Sequence, residues 1–374
     1  MIDKPQSILH VLAPANVGGL ETVVRTLARG LAPKGHSVEI AAVLDVATNT
    51  FVEEARESGL TVHVINSPAR SFIPERRALR ALLAGKSIDV VHSHGSRSDI
   101  LDIGVARSVN VPSVTTLHGF SATALKARTY EWLQTRGARR ASAIVAVSTG
   151  VADKLIRNGA SPTLVHVIRN AMSSASRTVD RVEARQRLGL GDGQQIGWIG
   201  RLSSEKGPDV MLAAMAQLTN LDTNLSFLGD GPDLARLTQR AEEMGIADRV
   251  RFHGRVPGAA SLLRAFDVIA LSSRTEGTPM VILEAMSRRV PIVATLVGGI
   301  PDTLSPAEAL LVPPDDPSAL ASAITSALAD SASSATRASR AHQRLITEFD
   351  VDAWLAKYET LYRSIQPAIR NASR

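Results

Sequence analysis

Two carboxylates, Glu276 and Glu284, stand eight positions apart and bracket Gly277, Thr278, Pro279, Met280 and Val281 at the head of an apolar run. Proline suits the first turn of a helix, where its missing N–H would be unpaired anyway. The segment therefore predicts a strand over 268–271, a polar turn, and a helix opening near Pro279. Such a helix start offers free N–H groups and partial positive charge to a phosphate. Glu276 precedes the helix and Glu284 lies inside it, so the two can touch different parts of one extended ligand. A second group of the same kind is Gly200-Arg201-Leu202-Ser203-Ser204-Glu205-Lys206-Gly207, after an apolar run at 196–199. A guanidinium grips a phosphate through two parallel hydrogen bonds, and an ammonium adds a mobile point charge. Arg201, Lys206 and the helix start could thus hold phosphate groups without a metal ion. The single D-x-D, Asp350-Val351-Asp352, lies just before a helical pattern and reads as a cap, not as a metal ligand pair. Two carboxylates on one wall also do not suit hydrolysis, which needs them on opposite sides of the scissile bond.

These residues need strand ends to hold them. The first half alternates short apolar strands (7–13, 37–43, 61–65, 90–93, 113–117, 143–147) with helical patterns. The second half repeats the plan with strands at 195–199, 225–228, 250–252, 268–271 and 291–294. Strands alternating with helices predict parallel sheets covered on both faces, and ligands bind beyond the carboxyl ends of such strands. The expected fold class is α/β with two Rossmann-like domains. At 374 residues the chain has room for both. The expected divisions are 1–170, 171–350 and a terminal helix in 351–374, with small polar residues from Met172 to Arg177 as the join. A further low-complexity stretch, Ser331–Thr336, is expected to precede the final helices. Trp354, Tyr358, Leu361 and Tyr362 fall on one face of the last helical pattern.

In the first half, Gly18-Gly19-Leu20-Glu21 follows the first strand and precedes a helix. Paired glycines let a phosphate or sugar approach the backbone, but without G-x-G-x-x-G the loop is no dinucleotide fingerprint. His118 closes the strand 113–117, at the edge where ligands bind. His92 and His94 flank Ser93; one is expected to pack inward and the other toward the ligand. No acidic or sulfur ligand accompanies them, so no metal site is expected.

Taken together, these motifs resemble those of retaining, nucleotide-sugar-dependent glycosyltransferases of the GT-B fold, family GT4, over essentially the whole chain. The resemblance rests on E-x7-E with its Gly-x-Pro, on G-R-x4-K-G, on Gly18-Gly19-x-Glu21 and on Gly298-Gly299-Ile300-Pro301-Asp302. It implies two Rossmann-like domains facing across a cleft, with the last helix crossing back to the first domain. It also implies transfer of a sugar from a nucleoside diphosphate sugar to an acceptor hydroxyl with retention of configuration. The expected donor is a UDP-sugar, with a GDP-sugar as second choice, and no further cofactor is required. In the family's pattern Arg201 and Lys206 hold the diphosphate and Glu284 accepts the ribose hydroxyls. Glu276 and His118 touch the transferred sugar, Gly18 and Gly19 lie beside the diphosphate, and Ser148 matches a nearby serine. Where the family usually has P-N-G-V, this chain reads Arg169-Asn170-Ala171-Met172. Two other classes stay open at this point: a nucleotide-sugar 2-epimerase of similar fold, and an inactive sugar-nucleotide-binding protein.

Composition narrows the setting. Hydrophobic residues at 44% against 21% charged indicate a globular chain, and the absence of cysteine excludes disulfides and thiolate metal sites. Positive charge is concentrated in residues 1–170. Two stretches there, Arg70–Leu83 and Lys126–Arg140, mix basic and apolar residues as lipid-surface helices do. No run approaches the roughly 20 apolar residues that span a bilayer, and the N-terminus is not flanked like a signal peptide. The expectation is a cytoplasmic enzyme of bacterial polysaccharide or glycolipid synthesis, peripheral on the inner face of the plasma membrane. Its partners would be a glycan or lipid-linked acceptor and an anionic lipid surface. Nucleic acid is not expected, since no recognised module accompanies the charge.

Overall fold

A computed structural model describes residues 4–15, 18–46, 48–67, 72–119, 125–173 and 179–366, with side chains of the helix Leu125–Ala138 described from residue 131 onward. The chain divides into two compact units, residues 1–170 together with 351–374, and residues 171–350.

The first unit holds seven parallel strands: β1 (Ser7–Leu12), β2 (Ser37–Leu44), β3 (Thr61–Asn66), β4 (Val90–His94), β5 (Ser113–Leu117), β6 (Ala143–Ala146) and β7 (Val165–Val167). Their order is β3-β2-β1-β4-β5-β6-β7. Strands β1, β4, β5 and β6 are buried along almost their whole length, because helices cover both faces. Leu9, Val11, Val43 and Val91 pack with Leu79, Leu83 and Val105 from helices on one side. Each such burial stabilises by roughly 1.5–3 kcal/mol relative to exposure. The last helix, Val351–Ser364, buries Trp354, Leu355, Tyr358, Leu361 and Tyr362 within this unit. It comes close to the helix Gly19–Leu31 at Gly30, where an added Cβ would lie 2.4 Å from a Leu355 methyl. His36 and Glu359 join the same contact through a 3.1 Å bond.

The second unit holds β8 (Gln194–Ile199), β9 (Thr223–Leu228), β10 (Val250–Phe252), β11 (Val268–Leu271), β12 (Ile292–Thr295) and β13 (Leu310–Val312), in the order β10-β9-β8-β11-β12-β13, all parallel. Ile196, Trp198, Leu225, Phe227 and Val268 pack with Met211, Met215 and Leu237.

Four details differ from the sequence expectation. Strands β7 and β13 were not expected, being three-residue edge strands with only a brief apolar signal. Ser331–Thr336 does not precede a helix but opens one, Ser331–Glu348, where Asp330 caps the start by accepting from the Ser333 N–H at 2.9 Å. Pro279 is the residue before the helix Met280–Arg288, not within its first turn. His92 and His94 are both buried, since residues two apart on a strand share one face. Arg70, residues 174–177, and the side chains of Lys126, Arg128 and Tyr130 lie outside the described residues.

Candidate nucleotide-sugar site

In a parallel sheet all carboxyl ends lie on one edge, and a crevice opens where the strand order reverses. In the second unit that reversal falls between β8 and β11. The loop after β8 carries Arg201 and Lys206, and the loop after β11 carries Glu276, so the fold itself brings these three to one place. Lys206 Nζ donates to both Glu276 carboxylate oxygens at 2.7 Å, and Ser273 Oγ donates to Glu276 Oε1 at 2.7 Å. The Glu276 side chain is 5% exposed and that of Lys206 30%, so the pair is mostly withdrawn from water. Arg201 is exposed; its carbonyl accepts from the Ser203 N–H at 2.9 Å, while its guanidinium has no hydrogen-bond or ion-pair partner among the described residues.

Close backbone contacts set the loop's position. A Cβ on Gly229 would stand 1.9 Å from the Gly200 carbonyl oxygen, and one on Gly207 would stand 2.1 Å from that of Ser272. Both glycines also take positive φ, so neither position suits a side chain. Ser272 Oγ donates to the Gly207 carbonyl at 2.7 Å and accepts from Trp198 Nε1 at 3.0 Å. Arg274 completes the frame. Its guanidinium reaches both Asp209 oxygens at 2.9 and 2.8 Å, Asp315 at 2.6 Å and the Ser204 carbonyl at 2.6 Å. Asp209 and Asp315 hold this guanidinium above its ordinary pKa. Sequence reasoning passed over Ser272, Ser273 and Arg274. The only signal was their place directly after a strand and before Glu276.

The Gly298-Gly299 loop after β12 supports the Glu276 turn from the other side. Gly299 N–H donates to the Glu276 carbonyl at 3.3 Å, and a Cβ on Gly298, whose φ is +54°, would lie 1.9 Å from that same oxygen. Gly277, Thr278, Pro279 and Met280 are buried, and Val281 is half-buried. The N–H groups at the start of Met280–Arg288 lack intrahelical acceptors. Glu284 sits one turn further along that helix. Desolvation pushes its carboxyl up to about 7, against a smaller opposing pull from Arg288.

In the first unit the strand order reverses between β1 and β4. Gly18 and Gly19 follow β1. Glu21 folds back beneath them and accepts from the Ala15 N–H at 2.7 Å, while a Cβ on Gly18 would meet Glu21 Oε2 at 2.4 Å. Glu21 therefore fastens the loop internally, and burial raises its carboxyl pKa. His118 follows β5 and lies 3.3 Å from His94, which itself lies 3.0 Å from His10. Ser148 is buried and caps the helix Thr149–Arg157 by accepting from the Val151 N–H at 3.3 Å. The ring nitrogens of His10, His92 and His94 lie within 4.8 Å of one another, close enough for a metal ion. Hydrogen bonds already account for His92, whose Nδ1 meets Tyr362 Oη and whose Nε2 meets Thr116 Oγ1, both at 2.7 Å.

Known proteins of like sequence and fold agree with this architecture. Residues 17–175 match Glycosyltransferase Family 4, and residues 180–344 match Glycosyl transferases group 1. D-inositol 3-phosphate glycosyltransferase 1 of Catenulispora acidiphila is 30% identical over 357 residues, covering 85% of this chain and 84% of that protein. N-acetyl-alpha-D-glucosaminyl L-malate synthase of Bacillus anthracis is 25% identical over 367 residues, covering 94% and 95%. The crystal structure of Anabaena HepE in complex with UDP-glucose superposes with a TM-score of 0.87 at 23% identity, over 96% of this chain and 99% of that one. The fold is thus GT-B, built from two Rossmann-like units. The chain belongs to the glycosyl transferases of group 1 and is a glycosyltransferase. Nothing in these likenesses favours the epimerase alternative.

Proposed function

We propose that the protein transfers a sugar from a UDP-sugar to an acceptor hydroxyl with retention of configuration. The observation that carries this reading is the Arg201 guanidinium, without a partner among the described residues, on the loop after β8, on the same sheet edge as the Lys206–Glu276 pair and the start of Met280–Arg288. A row of donors along one sheet edge suits a diphosphate, whose charge grows as it departs. Arg201 and Lys206 hold the diphosphate, and the helix start adds backbone donors. Glu284 accepts the ribose hydroxyls; Glu276 and His118 orient the transferred sugar, with Gly18 and Gly19 close to the diphosphate. The leaving phosphate takes the acceptor's proton on the face it vacates, so no covalent protein nucleophile and no metal ion take part. UDP as the carrier draws support from the HepE complex with UDP-glucose; GDP is the second choice.

The acceptor is a glycan or a lipid-linked glycan of bacterial polysaccharide or glycolipid synthesis, met at an anionic membrane surface. No helix among the described residues is long and apolar enough to cross a membrane. The helix Phe72–Gly85 instead exposes Phe72, Ile73, Arg76, Arg77 and Arg80, and Trp132 is 58% exposed beside Arg136. Apolar and cationic side chains side by side suit a lipid headgroup layer. A thermal-shift screen of nucleotide sugars tests the donor. UDP-sugars should raise the melting temperature of the wild type and much less that of Arg201→Ala. Stabilisation of both proteins by the same amount would refute the assignment.

A further inference from the structure

His10 on β1 and His94 on β4 share one sheet face, and His118 follows β5 at the carboxyl edge. His10 and His94 are fully withdrawn from water. Burial holds His10 down to about 3 and His118 to about 4, and drives His94 well below its ordinary value, so all three rings are neutral near pH 7. A neutral imidazole carries one N–H and one bare nitrogen. His10 Nδ1 meets His94 Nε2 at 3.0 Å, and His94 Nδ1 meets His118 Nε2 at 3.3 Å. Each contact holds one proton, so the three tautomers are linked and only two arrangements satisfy both bonds.

In the first arrangement every ring is protonated at Nδ1. His10 donates to His94, His94 donates to His118, and His118 carries its own proton on the outer nitrogen. In the second, every ring is protonated at Nε2 and donation runs inward. The far end of the chain decides between them. His10 Nε2 is buried and has no partner among the described residues. The inward arrangement would put an unpaired N–H there; the outward one leaves only an unpaired lone pair. Orphaned buried N–H groups are rarer than under-satisfied acceptors.

We propose that His94, backed by His10, is a positioning residue that fixes His118 as the Nδ1–H tautomer, making it a hydrogen-bond donor to an oxygen of the transferred sugar. This rests on the reading that His118 touches the sugar. His92 stays outside the relay, since Tyr362 and Thr116 occupy both its nitrogens. The ring nitrogen that a histidine presents is set by the bond its other nitrogen makes; here that bond comes from a second histidine.

The test uses the full chain labelled with 15N-histidine. Two-bond proton–nitrogen correlation spectra near pH 7.5 identify the protonated nitrogen of each ring, with assignment by single substitution. His10, His94 and His118 should all be Nδ1–H. An Nε2–H form of His118 overturns the proposal, as does elemental analysis finding one equivalent of zinc on these rings. Two variants read the consequence. His94→Leu removes the donor and should lower kcat about tenfold, the scale of one hydrogen bond. His94→Asn puts an amide N–H where Nδ1–H was and should recover most of that loss, with His118 still Nδ1–H. Equal losses in two variants of similar melting temperature would contradict positioning. His118→Ala separates the underlying reading. Transfer at the wild-type rate there would overturn the sugar contact, and with it the positioning role, even where the spectra show the outward tautomers.

Discussion

Glu284 makes the pH dependence of donor binding a sharp test. Its carboxyl, desolvated within Met280–Arg288, titrates at about 7 in the free protein. To accept two ribose hydroxyls it must be ionised, because a protonated carboxyl keeps one oxygen as a donor. Only the ionised fraction then binds well. For a group titrating at about 7 that fraction is about 0.9 at pH 8 and about 0.1 at pH 6, so affinity should fall about tenfold, or about 1.4 kcal/mol. The sign follows from linkage. A raised carboxyl favours the protonated apo form, so its contribution to apo stability is full below about 4.5 and is lost as pH rises through about 7. Binding opposes that and expels a proton. Isothermal titration with UDP-glucose, whose phosphodiester groups do not titrate in this range, measures both quantities. Wild type should show weaker binding at pH 6 than at pH 8, with about one proton released at pH 6. Glu284→Gln should bind more weakly at pH 8 and show a flat profile. A flat wild-type profile, or an unchanged slope in Glu284→Gln, would refute the ribose assignment.

Arg201→Ala should cut transfer by about 10²-fold, the scale of losing a donor at developing charge, with an unchanged melting temperature since its guanidinium has no partner among the described residues to strand. Lys206→Ala should lose activity and also stability, by a few kcal/mol, because it leaves the buried Glu276 charge unpaired; a melting temperature equal to wild type would contradict that pairing. Gly298→Ala should be destabilised and nearly inactive, since its Cβ would lie 1.9 Å from the Glu276 carbonyl oxygen; wild-type kinetics would show that the turn is not held there. EDTA should leave transfer intact, and loss restored by Mg²⁺ or Mn²⁺ would overturn the metal-free reading. Replacing Arg76, Arg77 and Arg80 by Ser should weaken sedimentation with anionic liposomes, each basic residue contributing about 1 kcal/mol, and spare hydrolysis of the donor; equal sedimentation of wild type with neutral and anionic liposomes would point to a soluble acceptor.

The α/β plan was legible because buried parallel strands read as short apolar runs, and helical patterns separate them. β7 escaped notice because three residues at a sheet edge carry no periodicity, and Val167 is 45% exposed. The loop residues of the candidate site were legible as types: Arg201, Lys206 and Glu276 stand at strand ends in a recognisable pattern. Their connections were not. Lys206 meets Glu276 seventy positions away, and Arg274 clamps Asp209 across sixty-five. Such pairs follow from which strands become neighbours, and local sequence does not state that. His92 and His94 were misread for a simpler reason: strand period two places both on one face, and both are buried. His10 drew no attention as a mid-strand residue, although its Nε2, without a partner among the described residues, is what sets the direction of the proposed tautomer chain.

The most direct test of where the donor binds is hydrogen exchange, read by mass spectrometry with and without UDP-glucose. The site at the carboxyl edge of the second sheet should slow exchange in residues 200–207 and 276–284, at the loop after β8 and the start of Met280–Arg288. Saturating ligand that leaves both segments unchanged, while protecting some other part of that unit, would contradict the account.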